Sequence, residues 1–465
     1  MIKKYKKSLF IFRRDLRVDD NTGLITALQQ SERVITCFIF DPNQVGKGNN
    51  YKSNNAIQFM LASLHDLNQQ LHKRGGKLFF FHDDPSNVIQ SVIKYEKIDA
   101  VFVNTDYTPY SVKRDAALAK TCKKNNIDLC IFSDLVLNVP EHALKKDGKP
   151  YTIFTAFFKR SLKNRVAEQV TCHNKNYYTK AVKGSAPEGI FKKILTTNNK
   201  KIFAHGGRTQ ALKILHHLEQ FKHYIKERDI PSLEATTGLA AHLKFGTCSV
   251  REAYHAIKKT LGPHHPLIRQ LYWRDFFTHI AFHFPHVFGH PFHRKYDKLK
   301  WDNKKSHFSA WCLGKTGFPL IDAGMRQLNT TGFMHNRVRM AVASFLTKDL
   351  HIDWRWGERY FAQQLVDYDP AVNNGNWQWA ASTGCDAQPY FRIFNPWLQQ
   401  KKFDPQAAYI KKWVPELDNL PAKQIHQWFK YCTTQPIKNY PSPLVDHAVE
   451  SKKAKMAYKK APDSK

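Results

Sequence analysis

Side chains able to do chemistry are gathered in four segments of the second half of this sequence. In Gln270-Leu-Tyr-Trp273-Arg274-Asp275, an amide and a tryptophan stand nearly one helical turn apart, followed by an arginine. In Met334-His335-Asn336-Arg337-Val-Arg339-Met340, Asn336 and Met340 are spaced so that a helix presents both on one face. Asp367-Tyr368-Asp369-Pro370 leads into Asn373-Asn374-Gly375-Asn376-Trp377-Gln378-Trp379, and the run continues through Thr383 to Arg392 and Asn395-Pro396. Taken singly, each has an ordinary structural use, since tryptophans pack cores and Asp-x-Asp caps helices or solvates loops. Together they describe a basic rim around an aromatic, amide-lined cavity, suited to a flat nucleobase taken out of its stack.

Other chemistries find little support. No paired carboxylates, Ser-His-Asp set or metal-ligand spacing reaches comparable density, so ordinary hydrolysis is disfavoured. Histidine is abundant, yet His216-His217 and Pro263-His264-His265-Pro266 read as helix-surface and loop residues. The eight cysteines form no C-x-x-C pair, which argues against a disulfide framework or a zinc site and fits a reducing compartment. Charge is the strongest bulk signal: 72 Lys and Arg against 39 Asp and Glu leave +33, an excess that points to a polyanionic partner. The apolar run Leu9–Phe12 is too short for a signal-peptide core, and no stretch could span a bilayer. A soluble, cytoplasmic monomer is expected.

The elements that must position these residues fall into two kinds. Ser8–Phe12, Val34–Phe40, Leu78–Phe81, Ala100–Val103 and Asp128–Phe132 are short β-branched and aromatic runs. They alternate with helix-length segments Asn54–Lys73, Ser86–Tyr95 and Ser111–Asn125. This order predicts a five-stranded, doubly wound parallel sheet over residues 1–134, with any ligand at the carboxyl ends of the strands. Residues 135–205 read as a connector draped over the surface. Residues 206–445 carry helical periodicity in Thr209–Glu227, Val250–Leu261, Ile268–Phe284, Gly332–Asp349 and Trp356–Val366. All ten tryptophans lie between Trp273 and Trp428, inside this helical part. Residues 446–465 read as a short, basic, disordered tail.

These motifs, with Phe12-Arg13-Arg14-Asp15-Leu16-Arg17 after the first strand, resemble the photolyase/cryptochrome family, and most closely its class I cyclobutane pyrimidine dimer photolyases. The likeness runs from about residue 8 to 445 and is most specific over Asn373–Pro396. It implies an antenna-binding α/β domain, a connector, and an all-α domain holding FAD. By position, Tyr224, the loop Thr236-Thr237-Gly238-Leu239-Ala240, and Asp367, Tyr368 and Asp369 would contact the flavin. Hydroxyls and free N–H groups of that loop suit a pyrophosphate. Arg339 would pair with Asp367 beside the ring, and Asn373 would face flavin N5. Trp377, Trp354 and Trp301 would relay electrons from the surface. Gln270, Trp273, Asn336, Met340 and Trp379 would surround a flipped dimer, with Arg228, Arg274, Arg337 and Gln399 at the DNA backbone. The implied activity is light-driven repair of cyclobutane dimers in UV-damaged DNA, a carbon–carbon lyase reaction in which reduced FAD gives the dimer an electron.

The sequence departs from the family pattern in places. Gln270 stands where dimer photolyases usually carry glutamate and where (6-4) enzymes and animal cryptochromes carry glutamine. The paired histidines of the (6-4) enzymes are replaced by Asn336 and Met340, which removes that chemistry's proton donor. Gly238 and Ala240 stand where arginine and serine are common. The glutamate that would hold a folate antenna falls at Thr108, so a second chromophore of folate, deazaflavin or flavin type is left open. A cryptochrome-like photoreceptor is the main rival, weakened by the short segment after Val445.

Overall fold

The computed structural model describes residues 3–195 and 197–461. Its first part is a five-stranded, all-parallel sheet in the order β3-β2-β1-β4-β5, with β1 Tyr5–Phe12, β2 Ser31–Ile39, β3 Leu78–Phe81, β4 Ala100–Asn104 and β5 Asp128–Phe132. Helices α1 Thr22–Gln30, α2 Asn54–His72, α3 Pro85–Glu96 and α4 Pro109–Lys124 cover it. Alternation along the strands divides two cores: Phe10, Phe12, Phe38, Phe80 and Phe102 face one layer, while Leu9, Ile11, Cys37, Phe79 and Val101 face the other. Each of these helices starts on a polar side chain that accepts an N–H of its first turn, from Asn21, Ser53, Asp84 and Thr108 in order. The doubly wound α/β expectation is met.

The connector does more than drape. Tyr178 N–H donates to the Val34 carbonyl at 2.8 Å and Ala186 N–H to that of Phe80 at 2.7 Å, so it covers the β3 edge. It also contributes α5, Phe154–Ser161, whose Phe154 and Phe157 are buried against the helical part.

The remaining helices used below are α6 Arg208–His216, α7 Ala240–Phe245, α8 Val250–Leu261, α9 Pro266–His283, α10 Lys305–Leu313, α11 Pro319–Thr331, α12 Asn336–Lys348, α13 Trp354–Gln364, α14 Pro370–Ala380, α15 Pro396–Phe403 and α16 His447–Lys459. The stretch Thr209–Glu227, read as helical, is helical through α6 and then breaks into 3₁₀ and short helical turns. Leu218, Phe221 and Tyr224 are the buried residues there, and their spacing of three fits a 3₁₀ turn better than a 3.6-residue period.

The C-terminal segment also differs from its expectation as a disordered tail. Asp446 caps α16, Ala454 and Tyr458 are buried one turn apart, and the Tyr458 hydroxyl donates to the Ala381 carbonyl at 2.6 Å. His447 and Asp349 pair at 2.5 Å, and His351 and Glu450 at 2.9 Å. A cap and an apolar i,i+4 pair hold a lysine-rich helix in place. Among the described residues no helix is long and apolar enough to cross a membrane, and no cluster of potential metal ligands is present.

Candidate functional site

The site is assembled from α9, α12, α13 and α14 by close helix contacts. A methyl on Gly375 of α14 would lie 2.0 Å from Phe277 Cδ1 of α9, so only glycine lets these helices meet. Likewise a methyl on Gly357 of α13 would lie 2.2 Å from the Trp377 ring. These two contacts pack α9, which carries Gln270 and Trp273, and α13, which carries Trp354, against α14, which carries Asn373, Trp377 and Trp379.

The start of α14 is built on charge. Asp369 is its N-cap, with Oδ1 accepting from the Ala371 and Val372 N–H groups at 3.1 and 3.3 Å. Its Oδ2 is bonded to Arg14, and the same guanidinium reaches Asp106 at 3.0 Å. Against the cost of burial, Arg14 and Lys244 hold the Asp369 carboxyl below the usual carboxylate range. Lys244 is itself pushed down to about 8 by burial and by Arg14. Asp367 pairs with Arg339 at 2.9 Å, as expected, and its Oδ1 is buried without a partner. Asn373 Nδ2 donates to the Glu358 carbonyl at 3.1 Å, and Asn374 Nδ2 to the Glu358 carboxyl at 2.9 Å. Burial pushes Glu358 up to about 7, partly opposed by that Asn374 bond.

On the rim, Asp229 joins Arg337 at 2.9 Å and Arg228 at 3.8 Å, tying the Tyr224–Ala240 segment to α12. Tyr224 is buried, Thr236, Thr237 and Gly238 are half-exposed, Leu239 is buried and Ala240 exposed. Asn336 Nδ2 lies 3.8 Å from Met340 Sδ, so both share one face. Trp379 is half-buried near Phe394, while one face of Trp273 is covered by Phe154 at a ring separation of 3.6 Å. The buried polar atoms His335 Nε2, Arg337 Nε and Gln399 Oε1 have no partner.

Arg274 is a correction. Expected at the DNA backbone, it is instead largely withdrawn from solvent, donating to the Leu135 and Leu243 carbonyls at 2.7 and 3.2 Å. Conversely, sequence reasoning missed Arg14, Lys244 and Glu358. The Phe12–Arg17 motif was the available signal for Arg14, because an Arg-Arg pair straight after a buried strand has no solvated face to occupy.

Of the tryptophans, Trp377 and Trp354 are buried in one core, and Trp301 is half-buried at its margin with Tyr458 edge-on at 6.4 Å. A cavity of about 570 Å³ opens at the carboxyl ends of β1 and β2, where the sheet order reverses between β1 and β4. Phe12, Arg14, Asp41, Asp106, Lys244 and Glu358 line it. Thr108 also lines it, but its hydroxyl is engaged with Ser111 N–H at 3.2 Å and Ser111 Oγ at 2.9 Å.

Known proteins share this arrangement. Residues 8–173 match the family model for DNA photolyase and residues 267–460 that for the FAD binding domain of DNA photolyase. The deoxyribodipyrimidine photo-lyase of Alkalihalophilus pseudofirmus is 35% identical, over 96% of this chain and 97% of its own. An archaeal photolyase from Sulfolobus tokodaii, solved with two FAD molecules, is 43% identical with a TM-score of 0.88, covering 97% of this chain and 99% of that one. A Synechocystis cryptochrome is 28% identical with a TM-score of 0.87, covering 98% and 100%. FAD is the cofactor of this domain, and Asp367 Oδ1, beside Arg339, is a buried acceptor with no partner in the protein. The chain belongs to the photolyase/cryptochrome family.

Proposed function

We propose that this protein repairs cyclobutane pyrimidine dimers in UV-damaged DNA under light, acting on a dimer flipped out of the duplex. The observation that supports the reading is the α9–α14 contact at Gly375 and Phe277, which packs the helix of Gln270 and Trp273 against the helix of Asn373 and Trp379. An aromatic and amide mouth of this kind binds bases by stacking, worth about 1–3 kcal/mol per base. Tyr224, Thr236, Thr237, Gly238, Leu239 and Ala240 would hold the phosphates and sugar of FAD, and Asp367, Tyr368, Asp369 and Asn373 its ring. When bound and reduced, FAD supplies the light-driven electron that opens the cyclobutane ring. Arg339 and Asp367 fix the charge beside it, while Trp273 and Trp379 hold the dimer and keep water out. Asn336 and Met340 give no acid–base pair, which disfavours a (6-4) substrate. Arg228, Arg337 and Gln399 would meet the phosphates.

The β1–β2 cavity would take a second, flavin-class chromophore. Its lining mixes Arg13, Arg14, Arg114 and Lys244 with Asp41, Asp106 and Glu358, and the position implied for a folate-binding glutamate is a threonine engaged in capping α4.

The test is single-turnover illumination of chemically reduced protein with oligonucleotides bearing either lesion, read by chromatography. Repair of the cyclobutane dimer alone, read as recovered pyrimidines, is expected. Repair of only the (6-4) lesion would overturn the substrate, and no repair of either, with the flavin still photoreduced, would replace the reading with a photoreceptor.

A further inference from the structure

The connector helix α5 has no side-chain cap from the residue before it, Ile153. Its first N–H, that of Phe154, donates instead to the Asp386 carboxylate at 3.0 Å, from the loop that follows α14. The Phe154 ring lies on that of Trp273, with centroids 3.6 Å apart and planes 6° apart. Phe158, one turn on, is nearly parallel to Phe154 at 5.6 Å, and the exposed Arg269 guanidinium stands 5.1 Å over Phe154 and 5.6 Å over Phe158. Phe276 meets Phe154 edge-on at 5.7 Å and Trp273 edge-on at 5.8 Å. The half-buried Trp273 is therefore backed by a ring from outside its own helix.

The loop that supplies Asp386 is tied to Trp379 as well. The Ser382 and Gln388 N–H groups donate to the Trp379 carbonyl at 3.2 and 3.3 Å. Ser382 and Asp386 both take left-handed backbone, with φ of 61° and 45°, which is uncommon away from glycine and least costly for aspartate and asparagine. A helix cap by itself satisfies one free N–H and stabilises the helix. Here the capped residue is the one that backs the Trp273 ring, and the cap is an exposed aspartate 232 residues away. A phenylalanine that only filled a core would need no such tether.

We propose that Asp386 and Phe154 are positioning residues for lesion recognition; this rests on the reading of Trp273 and Trp379 as the side chains that hold the flipped dimer. The loop after α14 fixes Phe154, Phe154 fixes the plane of Trp273, and the same loop is bonded to Trp379. One loop thereby sets both tryptophans. A stacking ring contributes most when its plane is set before the ligand arrives, because ordering a free ring on binding offsets part of the gain. Asp386 and Phe154 act through Trp273, so an undamaged duplex, held by its phosphates, is indifferent to them.

The experiment compares Asp386→Gly with Asp386→Asn. Both remove the same charge and both suit left-handed backbone, but only asparagine keeps an oxygen for the Phe154 N–H. Binding of the FAD-loaded proteins to a duplex carrying a cyclobutane dimer, and to the same duplex without it, is measured by fluorescence anisotropy in the dark. The Trp273 ring is followed by fluorine NMR of fluorotryptophan-labelled protein, its resonance assigned with Trp273→Phe. Asp386→Gly is expected to lose roughly tenfold in affinity for the dimer duplex. Its affinity for the undamaged duplex stays that of the parent, its Trp273 resonance shifts or broadens, and Asp386→Asn matches the parent in dimer binding. Phe154→Leu, where its melting curve matches that of the parent, repeats the Asp386→Gly result. Equal dimer affinity in the two Asp386 variants, an equal loss on both duplexes, a Trp273 resonance unmoved by Asp386→Gly, or undiminished dimer binding in Phe154→Leu overturns the proposal. A parent that binds the two duplexes alike overturns the reading of the tryptophans beneath it, a separate result.

Discussion

Arg14, just past the end of β1, is ion-paired with Asp369, the residue that caps the helix of Asn373 and Trp377, across 355 residues of sequence. The same guanidinium holds Asp106 on the cavity side. Both carboxylates are buried, so Arg14→Met removes the ion-pair partner they share and leaves them to Lys244 and more distant cations. A loss of about 3–5 kcal/mol in unfolding free energy is expected, with weaker FAD retention. Arg14→Lys keeps the charge but loses the fork that bridges two acids, and its loss should be smaller. Urea unfolding and flavin release on dilution measure both. Equal stability of Arg14→Met and the parent would refute the bridging role.

Gly357 is a packing requirement imposed by Trp377. A methyl there meets the indole at 2.2 Å and Leu346 Cδ2 at 2.6 Å, and neither neighbour is free to withdraw from the core. Gly357→Ala, which on helix propensity alone would stabilise α13, should instead cost about 1–3 kcal/mol. It should also slow flavin photoreduction by shifting the Trp377 ring. A rise in melting temperature with unchanged photoreduction would show that the ring has room.

Much of this architecture was legible in the sequence, for physical reasons that differ by element. Leu78–Phe81 and Asp128–Phe132 are short β-branched and aromatic runs between helix-length segments, too short for helices of their own. Val250–Leu261 carries its own boundaries, a Ser249–Glu252 capping box and a closing Gly262. Arg274 was not legible, because a rim arginine and a buried clamp arginine have the same local sequence. Its fate depends on the Leu135 and Leu243 carbonyls, which come from distant segments. Phe154 was hidden for the same reason: its contact with Trp273 joins α5 to α9, and neither segment signals the other.

Glu358 makes stability depend on pH with a definite sign. Its folded pKa is raised from 4.5 to about 7, so the folded protein holds the proton more tightly than the unfolded chain. The associated stabilisation is complete below the unfolded value and lost as pH rises through about 7, on the order of 3 kcal/mol in all. Melting temperature should fall between about pH 5 and 8, and Glu358→Gln should flatten that slope. An unchanged slope in the variant would assign the dependence to other groups.

The basic excess sets how DNA affinity responds to salt. If about six phosphates are neutralised, affinity should fall roughly 10³-fold or more between about 50 and 200 mM salt. Arg337→Ala should weaken damaged and undamaged DNA alike and make the slope shallower by about one ion. A flat response, measured by fluorescence anisotropy, would exclude a phosphate-dominated interface.

Gln270 decides how the lesion is held. It lies half-buried on α9, three residues before Trp273, and among the described residues its amide makes no hydrogen bond within the protein. Both its donor and its acceptor are therefore free for a ligand. A glutamine does not titrate, so dimer repair should show little dependence between about pH 5 and 8 from this position, whereas a glutamate donates only when protonated. Gln270→Glu should keep or modestly improve cyclobutane dimer repair and bring in a pH dependence that the parent lacks. It should create no (6-4) activity, because Asn336 and Met340 still supply no acid. Single-turnover yields on each lesion across that pH range, with chemically reduced protein, measure all three outcomes. A (6-4) yield in the variant, or a pH-dependent yield in the parent that the variant leaves unchanged, would move the lesion contact to another side chain.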